Sequence, residues 1–119
     1  MDKPKDLAAL EDHFSGRSPA VREVYDTLLR VVQRFGPVRE EAKKTSIHLA
    51  RTTAFAGVQT RREWLVLTLK ASDDIDSPRV TRRERVSANR WHLEIKLSHQ
   101  EEVDAELVGW LEQAYFLAR

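Results

Sequence analysis

Cysteine is absent from the 119 residues, which excludes disulfides and thiolate metal sites and fits a reducing compartment. Internal repeats and low-complexity tracts are also absent. No run approaches the roughly 18 consecutive apolar residues of a membrane span, and Met1 to Asp12 is too charged to be a secretory signal. We therefore expect a cytoplasmic globular protein with a single core and no membrane partner.

The net charge is small, with a formal value of +1, but the charged residues are sorted by sign along the chain. Residues 34–96 contain 14 Lys and Arg against 8 Asp and Glu. Residues 1–33 contain 5 against 6, and residues 97–119 contain 1 against 5. A basic middle therefore lies between two acidic ends. If the middle forms the sheet, the sheet surface is a plausible place for an anion to bind.

Three helices are predicted. A short one covers Lys5 to Phe14, and we assign residues 1–17 to a leader helix and residues 18–119 to one domain. The second has Ser18 as its cap, Pro19 in its first turn and an apolar face from Val21 to Phe35. The third is expected to begin with a capping box formed by Ser98 and Glu101.

Between these helices the apolar period changes to two, which is typical of strands. The predicted strands are Thr45–Arg51, Ala54–Val58, Trp64–Lys70, Val80–Ser87 and Trp91–Leu97. Leu65, Leu67 and Leu69 share one side of their strand, so we expect that side to be buried under the helices. Short connections favour antiparallel pairing. The fold prediction is an α+β two-layer sandwich, an antiparallel sheet of about four or five strands with helices on one face.

Several short motifs resemble one known family. The motifs are Lys43-Lys44-Thr45-Ser46-Ile47-His48-Leu49, Thr53-Ala54-Phe55-Ala56-Gly57-Val58, Asp76-Ser77-Pro78-Arg79, Arg90-Trp91-His92 and the stretch from Asp104 to Leu111. Together they resemble an uncharacterised bacterial family, domain of unknown function 5655, over roughly Val21 to Leu117. The resemblance implies a small α/β domain that occurs alone or fused to other modules. It implies no activity and no catalytic residues.

The uncovered sheet face is predicted to be basic and to contain aromatic residues. Single-stranded nucleic acid is bound by such faces, where cations meet phosphate and aromatic rings stack on bases. The candidate anion-binding residues are Lys44, His48, Arg51, Arg62, Trp64, Arg82, Arg83, Arg85, His92 and Lys96. A solvated face with no ligand is the plain alternative, because nearby glutamates offset part of the charge. We predict a non-catalytic binding module for nucleic acid or a small anion.

Two other classes of function stay open. In the first, the same face pairs with another subunit of a homodimer, or with another protein, through Trp64 and Val66. An enzyme, hydrolase or nuclease-like, would use His48, His92, Glu94 and Lys96. The two histidines fall on one predicted face and flank one site if their strands are neighbours. Glu94-Ile95-Lys96 resembles the end of a restriction-nuclease core, for which Asp76 is the upstream acid, but the spacing also suits an ordinary ion pair.

Lys43 and Lys44 stand before a strand, where they either reach an anionic ligand or protect the strand edge from aggregation. Asp73, Asp74 and Asp76 lack the further ligands and the glycine of a calcium loop. We therefore predict no metal, no cofactor and no catalytic residue.

Overall fold

The second helix forms where its signals predict it. The computed structural model describes residues 5–118, so part of the predicted leader, residues 1–4, and the last residue of the predicted domain lie outside the described residues. The helices are α1 (Lys5–Asp12), α2 (Pro19–Gln33) and α3 (Ala105–Leu117). In α2, the Ser18 hydroxyl accepts a hydrogen bond from the Ala20 N–H, and the apolar stripe from Val21 to Val32 is buried.

Six antiparallel strands form one sheet. They are β1 (Arg39–Ala42), β2 (Ile47–Ala50), β3 (Ala54–Thr60), β4 (Leu65–Ala71), β5 (Val80–Ser87) and β6 (Arg90–Leu97). Their order in the sheet is β1-β2-β3-β4-β6-β5. The α+β prediction is confirmed, with one strand more than the four or five expected. The additional strand is β1, an edge strand that reads Arg-Glu-Glu-Ala and lacks apolar alternation.

The leucine side of β4 lies in the core, as its alternation predicts. Leu65, Leu67 and Leu69 are buried, and α2 and α3 both contact β4. Burial of each such side chain contributes about 1.5–3 kcal/mol to the free energy of unfolding. Because the helices cover this side, the opposite side of the sheet is left without a helical layer. We call that side the open face.

The first helix packs on the same core. Leu10 is buried among the core side chains, and the ring of Phe14 lies 5.1 Å from that of Tyr25. The predicted apolar stripe of this helix includes Leu7, whose side chain lies outside the described residues. None of the helices in residues 5–118 has the length and apolar character needed to cross a bilayer.

The predicted capping box of the third helix is wrong. The carboxylate of Glu102, not Glu101, accepts hydrogen bonds from the N–H groups of Ser98 and His99, at 2.7 Å and 2.9 Å. These bonds close a single 3₁₀ turn at Gln100–Glu102. Helix α3 begins three residues after Glu102, at Ala105, and the carboxylate of its N-cap Asp104 accepts from the Leu107 N–H at 3.0 Å. Two capping signals overlap in this segment, and the later one starts the α-helix.

Candidate functional site

The strand register sets which side chains meet on the open face. One row crosses the whole sheet, through Glu41, His48, Gly57, Thr68, Glu94 and Arg82. A neighbouring row contains Lys70, His92 and Glu84. Side chains opposite each other on adjacent strands lie about 4.5–5.5 Å apart. The open face is thus a lattice of polar groups with a glycine near its centre.

A cavity of about 240 Å³ lies over that glycine. Its polar lining comes from Ser46, His48, Gln59, Thr68, Lys70 and His92, and Ala54 also lines it. We call it the central cavity. All of its lining strands belong to the inner part of the sheet, where register is fixed on both sides. A site built on paired strands holds its side chains in defined positions.

Gly57 makes the floor of the central cavity. A Cβ atom at this position would lie 3.8 Å from the Cδ2 atom of His48 and 3.9 Å from the Cβ atom of Thr68. Those are ordinary van der Waals distances, so a methyl group would fit without strain but would occupy the space above the sheet. Glycine within a strand marks a place where another group approaches the backbone closely.

The two histidines border the same cavity from strands that are not neighbours. His48 is on β2 and His92 is on β6, with β3 and β4 between them. Three strand spacings of about 4.8 Å separate their strands by about 14 Å, too far for the two imidazoles to bind one metal ion directly. Within residues 5–118 no three His, Asp or Glu side chains are grouped to hold a metal ion.

Lys70 gives the central cavity its positive charge. No carboxylate lines the cavity, and Lys70 forms no ion pair with any residue that the structure describes. The nearby Glu94 carboxylate lies 3.7 Å from the Arg82 guanidinium. Positive charge is therefore uncompensated inside the cavity and balanced just outside it.

The arginines of β5 do not form one patch. Arg82 pairs with Glu94 and lies on the open face, whereas Arg83 is opposite the buried Leu93 and faces the other way. Arg83 donates to Asp74 at 2.9 Å. Arg85 also lies on the helix side, with its guanidinium 5.9 Å from the ring centre of Trp91. Successive strand residues point to opposite faces, so adjacent arginines are separated by the sheet.

The remaining predicted residues are dispersed. Lys96 lies over the Trp64 ring, its Nζ atom 4.3 Å from the ring centre, which leaves less of that ring free to stack on a base. Arg51 follows β2 and packs over the rings of Tyr115 and Phe116 on α3. Arg62 is exposed in the β3–β4 turn, and Lys44 is exposed in the β1–β2 turn. Of the predicted anion-binding residues, only His48 and His92 line the central cavity.

The four residues of the enzyme alternative do not converge. Only the histidines border the cavity, while Glu94 lies beside Arg82 and Lys96 lies over Trp64. No hydrogen bond joins any two of the four within the described part of the chain. Asp76 is exposed in the loop before β5.

Sequence reasoning missed the residues that make the cavity. Thr68 and Lys70 were not among the predicted site residues, and Gly57 was noted as part of a family motif. The bulge of β3 is two residues before Gly57, where Phe55 is the extra residue between the pairs formed by Ala54 and Ala56. The signal that could have found them is a glycine, Gly57, within an otherwise apolar and β-branched part of β3. In the sheet it lies between the polar residues His48 and Thr68 of the two neighbouring strands.

Comparison with known proteins identifies the family. Residues 10–118 match the family described as domain of unknown function (DUF5655), so the chain belongs to that family. The match begins at Leu10, before the predicted start at Val21, and includes the end of α1 and the whole of the turn that follows it. No curated protein and no solved structure matches the chain.

Proposed function

We propose that this domain is a non-catalytic binding module that holds a small anionic ligand in the central cavity of its open face. The observation that supports it most is Lys70, which pairs with no carboxylate among the described residues and lies in a cavity lined by no acidic side chain. An anion placed there neutralises a charge that is otherwise unopposed.

The other lining groups suit the same ligand. The hydroxyls of Ser46 and Thr68 donate hydrogen bonds, and each imidazole donates in either of its protonation states. Hydrogen bonds with a charged partner are about twice as strong as those between neutral groups. The bare backbone at Gly57 lets a ligand rest on the sheet without meeting a side chain.

Size narrows the class of ligand. The cavity of about 240 Å³ is below the roughly 300–1,000 Å³ of pockets for drug-sized molecules. A single phosphate or carboxylate group on a small organic body fits this description.

Two features weigh against a nucleic-acid track along the whole open face. The Arg82 charge is balanced by Glu94, and the Trp64 ring is covered by Lys96. The uncompensated positive charge is therefore concentrated at the cavity. It does not extend along the face as a track for the backbone of a single-stranded nucleic acid. A catalytic role has less support, because the histidines border opposite sides of the cavity and have no carboxylate partner in residues 5–118.

The test is an NMR titration of the nitrogen-15-labelled protein with inorganic phosphate and, separately, with a nucleoside monophosphate. We expect saturable shifts at the amides of His48, Gly57, Thr68 and Lys70. Lys70→Gln removes the cation and should weaken binding about tenfold, as expected for a hydrogen bond with a charged partner. Gly57→Ala should also weaken binding, because the methyl group fills the floor.

The matched control is Lys96→Gln, which removes a lysine from the same face but outside the cavity. It should leave the affinity unchanged. If Lys70→Gln and Lys96→Gln weaken the affinity for the anion equally, the binding depends only on general surface charge, and the proposal is overturned. Shifts confined to other parts of the chain would do the same.

A further inference from the structure

A second cavity, of about 510 Å³, lies at one end of the sheet, between the end of α1, the β1–β2 turn and the end of β3. Its charged lining is Arg17, Lys43, Lys44, Arg61 and Asp12. We propose that this end cavity binds phosphate groups, independently of the central cavity.

The charge balance of the end cavity is strongly positive. Two arginines and two lysines face one carboxylate, that of Asp12. The Lys43 ammonium lies 4.0 Å from Glu41, at the limit of an ion pair. The other three cations form no ion pair with any residue in the described part of the chain.

Two of the cations are held in place by neutral partners. The Arg17 Nε–H donates to the Thr60 hydroxyl at 3.2 Å, and that hydroxyl in turn donates to the His13 carbonyl. Thr60 is 5% exposed, so it is a fixed anchor. Arg61 donates to the Gln59 side-chain oxygen at 3.3 Å. Such contacts orient a guanidinium without cancelling its charge, which leaves donors for a ligand.

The nearby helix end does not account for this gathering of cations. Lysine and arginine at a helix C-terminus often bond to the last carbonyls. Here none of the four cationic side chains donates to a carbonyl of α1 among residues 5–118. These cations therefore do not cap α1.

The β1–β2 turn separates the two cavities. Lys43, Lys44 and Thr45 line the end cavity, while Ser46 and His48 line the central cavity. Lys44 and His48, both predicted to bind an anion, therefore belong to two different cavities on either side of a hairpin. Each can be removed by substitution without touching the other.

Phosphate is the class of anion that this lining favours. Two planar guanidiniums and two ammonium groups match a doubly charged group with several acceptor oxygens better than they match a single carboxylate. The volume, about twice that of the central cavity, admits more than one phosphate. A pyrophosphate-bearing small molecule and the backbone of a single-stranded nucleic acid present the same chemistry.

The experiment has two probes. Inorganic pyrophosphate is titrated by calorimetry, and a short fluorescein-labelled oligothymidine is titrated by anisotropy. If four cations contact strand phosphates, log K for the oligonucleotide falls with log salt with a slope of about −3, which is about 50-fold between roughly 50 and 200 mM salt. Pyrophosphate binding alone identifies a small phosphate ester, and oligonucleotide binding with the stated slope identifies the nucleic-acid backbone.

Variants locate the site. Lys44→Gln and Arg61→Gln each should weaken either probe about tenfold, and Arg61→Gln should reduce the salt slope by about 0.7. Arg62→Gln, one residue away and outside the cavity, and Lys70→Gln, in the central cavity, should leave this affinity unchanged.

Three outcomes overturn the inference. They are no binding of either probe at low salt, equal weakening by Arg61→Gln and Arg62→Gln, and amide shifts of the unaltered protein that avoid Lys43 to Thr45. The last measurement needs no variant. Because the central cavity is tested by its own variants, a negative result for the end cavity does not affect the proposed function of the central cavity.

Discussion

Replacing Tyr25 with phenylalanine should change how stability depends on alkaline pH. Tyr25 is fully buried on α2, and its phenol donates a 2.6 Å hydrogen bond to the Oε1 atom of Glu40 on β1. Burial raises the pKa of the phenol far above its ordinary value of 10.0, and the bond to the Glu40 carboxylate raises it further. The folded protein therefore keeps this proton in a pH range where the unfolded chain releases it.

The magnitude follows from linkage. Above about pH 10 the unfolded state binds fewer protons than the folded state, so the free energy of unfolding falls as pH rises, by about 1.36 kcal/mol per pH unit from this group. At about pH 11 the loss from Tyr25 is about 1.4 kcal/mol. That is a sizeable part of the roughly 5–15 kcal/mol that stabilises a domain.

Urea unfolding of both proteins from about pH 8 to pH 11 is the assay, followed by circular dichroism. Near neutral pH, Tyr25→Phe should be less stable by about 1–2 kcal/mol, because the hydrogen bond to Glu40 is lost. The variant has no phenol at this position to titrate, so the gap should close as pH rises. Two curves that stay parallel to pH 11 would refute the reasoning, since all other titrating groups are common to both proteins.

Two further predictions concern the side-chain cap of α3 and two glycines with positive φ. Asp104→Ala should lower the free energy of unfolding by about 1 kcal/mol near neutral pH, because the cap of α3 is lost. The Leu107 N–H and the Arg79 guanidinium lower the pKa of Asp104 in the folded protein below its ordinary 3.8. The contribution of this carboxylate is therefore complete above 3.8 and is lost as pH falls through the lowered pKa, which urea titrations near neutral pH and in acid check. Gly36→Ala should destabilise more than Gly16→Ala in thermal melts, although both have positive φ, because only the Cβ at Gly36 would collide with the Tyr115 hydroxyl.

The fold was predictable wherever apolar residues repeat. Alternation in Leu65, Leu67 and Leu69 assigned the buried side of β4, and the stripe of α2 assigned its core face. Strand β1 was missed because an edge strand needs no apolar side. Its sequence, Arg-Glu-Glu-Ala, contains no apolar residue before Ala42. The start of α3 was misplaced because Glu101, Glu102 and Asp104 are all possible capping residues. The backbone geometry alone decides which of them caps the α-helix.

The candidate site was harder to predict, because strand order is not local information. Strand β6 pairs with β4, and β5 is displaced to the edge, so the position of His92 relative to His48 follows from pairing and not from spacing. The placement of Arg82 and Arg83 on opposite faces could have been predicted from the alternation of a strand. The end cavity could not be predicted, since it combines Arg17 and Arg61 from segments far apart in the chain.

The strand order also has a consequence for synthesis on the ribosome. Strand β5 leaves the exit tunnel before β6, yet β6 is its only neighbour in the sheet. Until residues 90–97 emerge, β5 waits without a partner and β4 lacks one of its two neighbours. Val80 is the only buried residue of β5, and the strand is otherwise polar and rich in arginine apart from Val86. A waiting segment of that composition repels its own copies, which protects the nascent chain during the interval when it is most prone to wrong pairing.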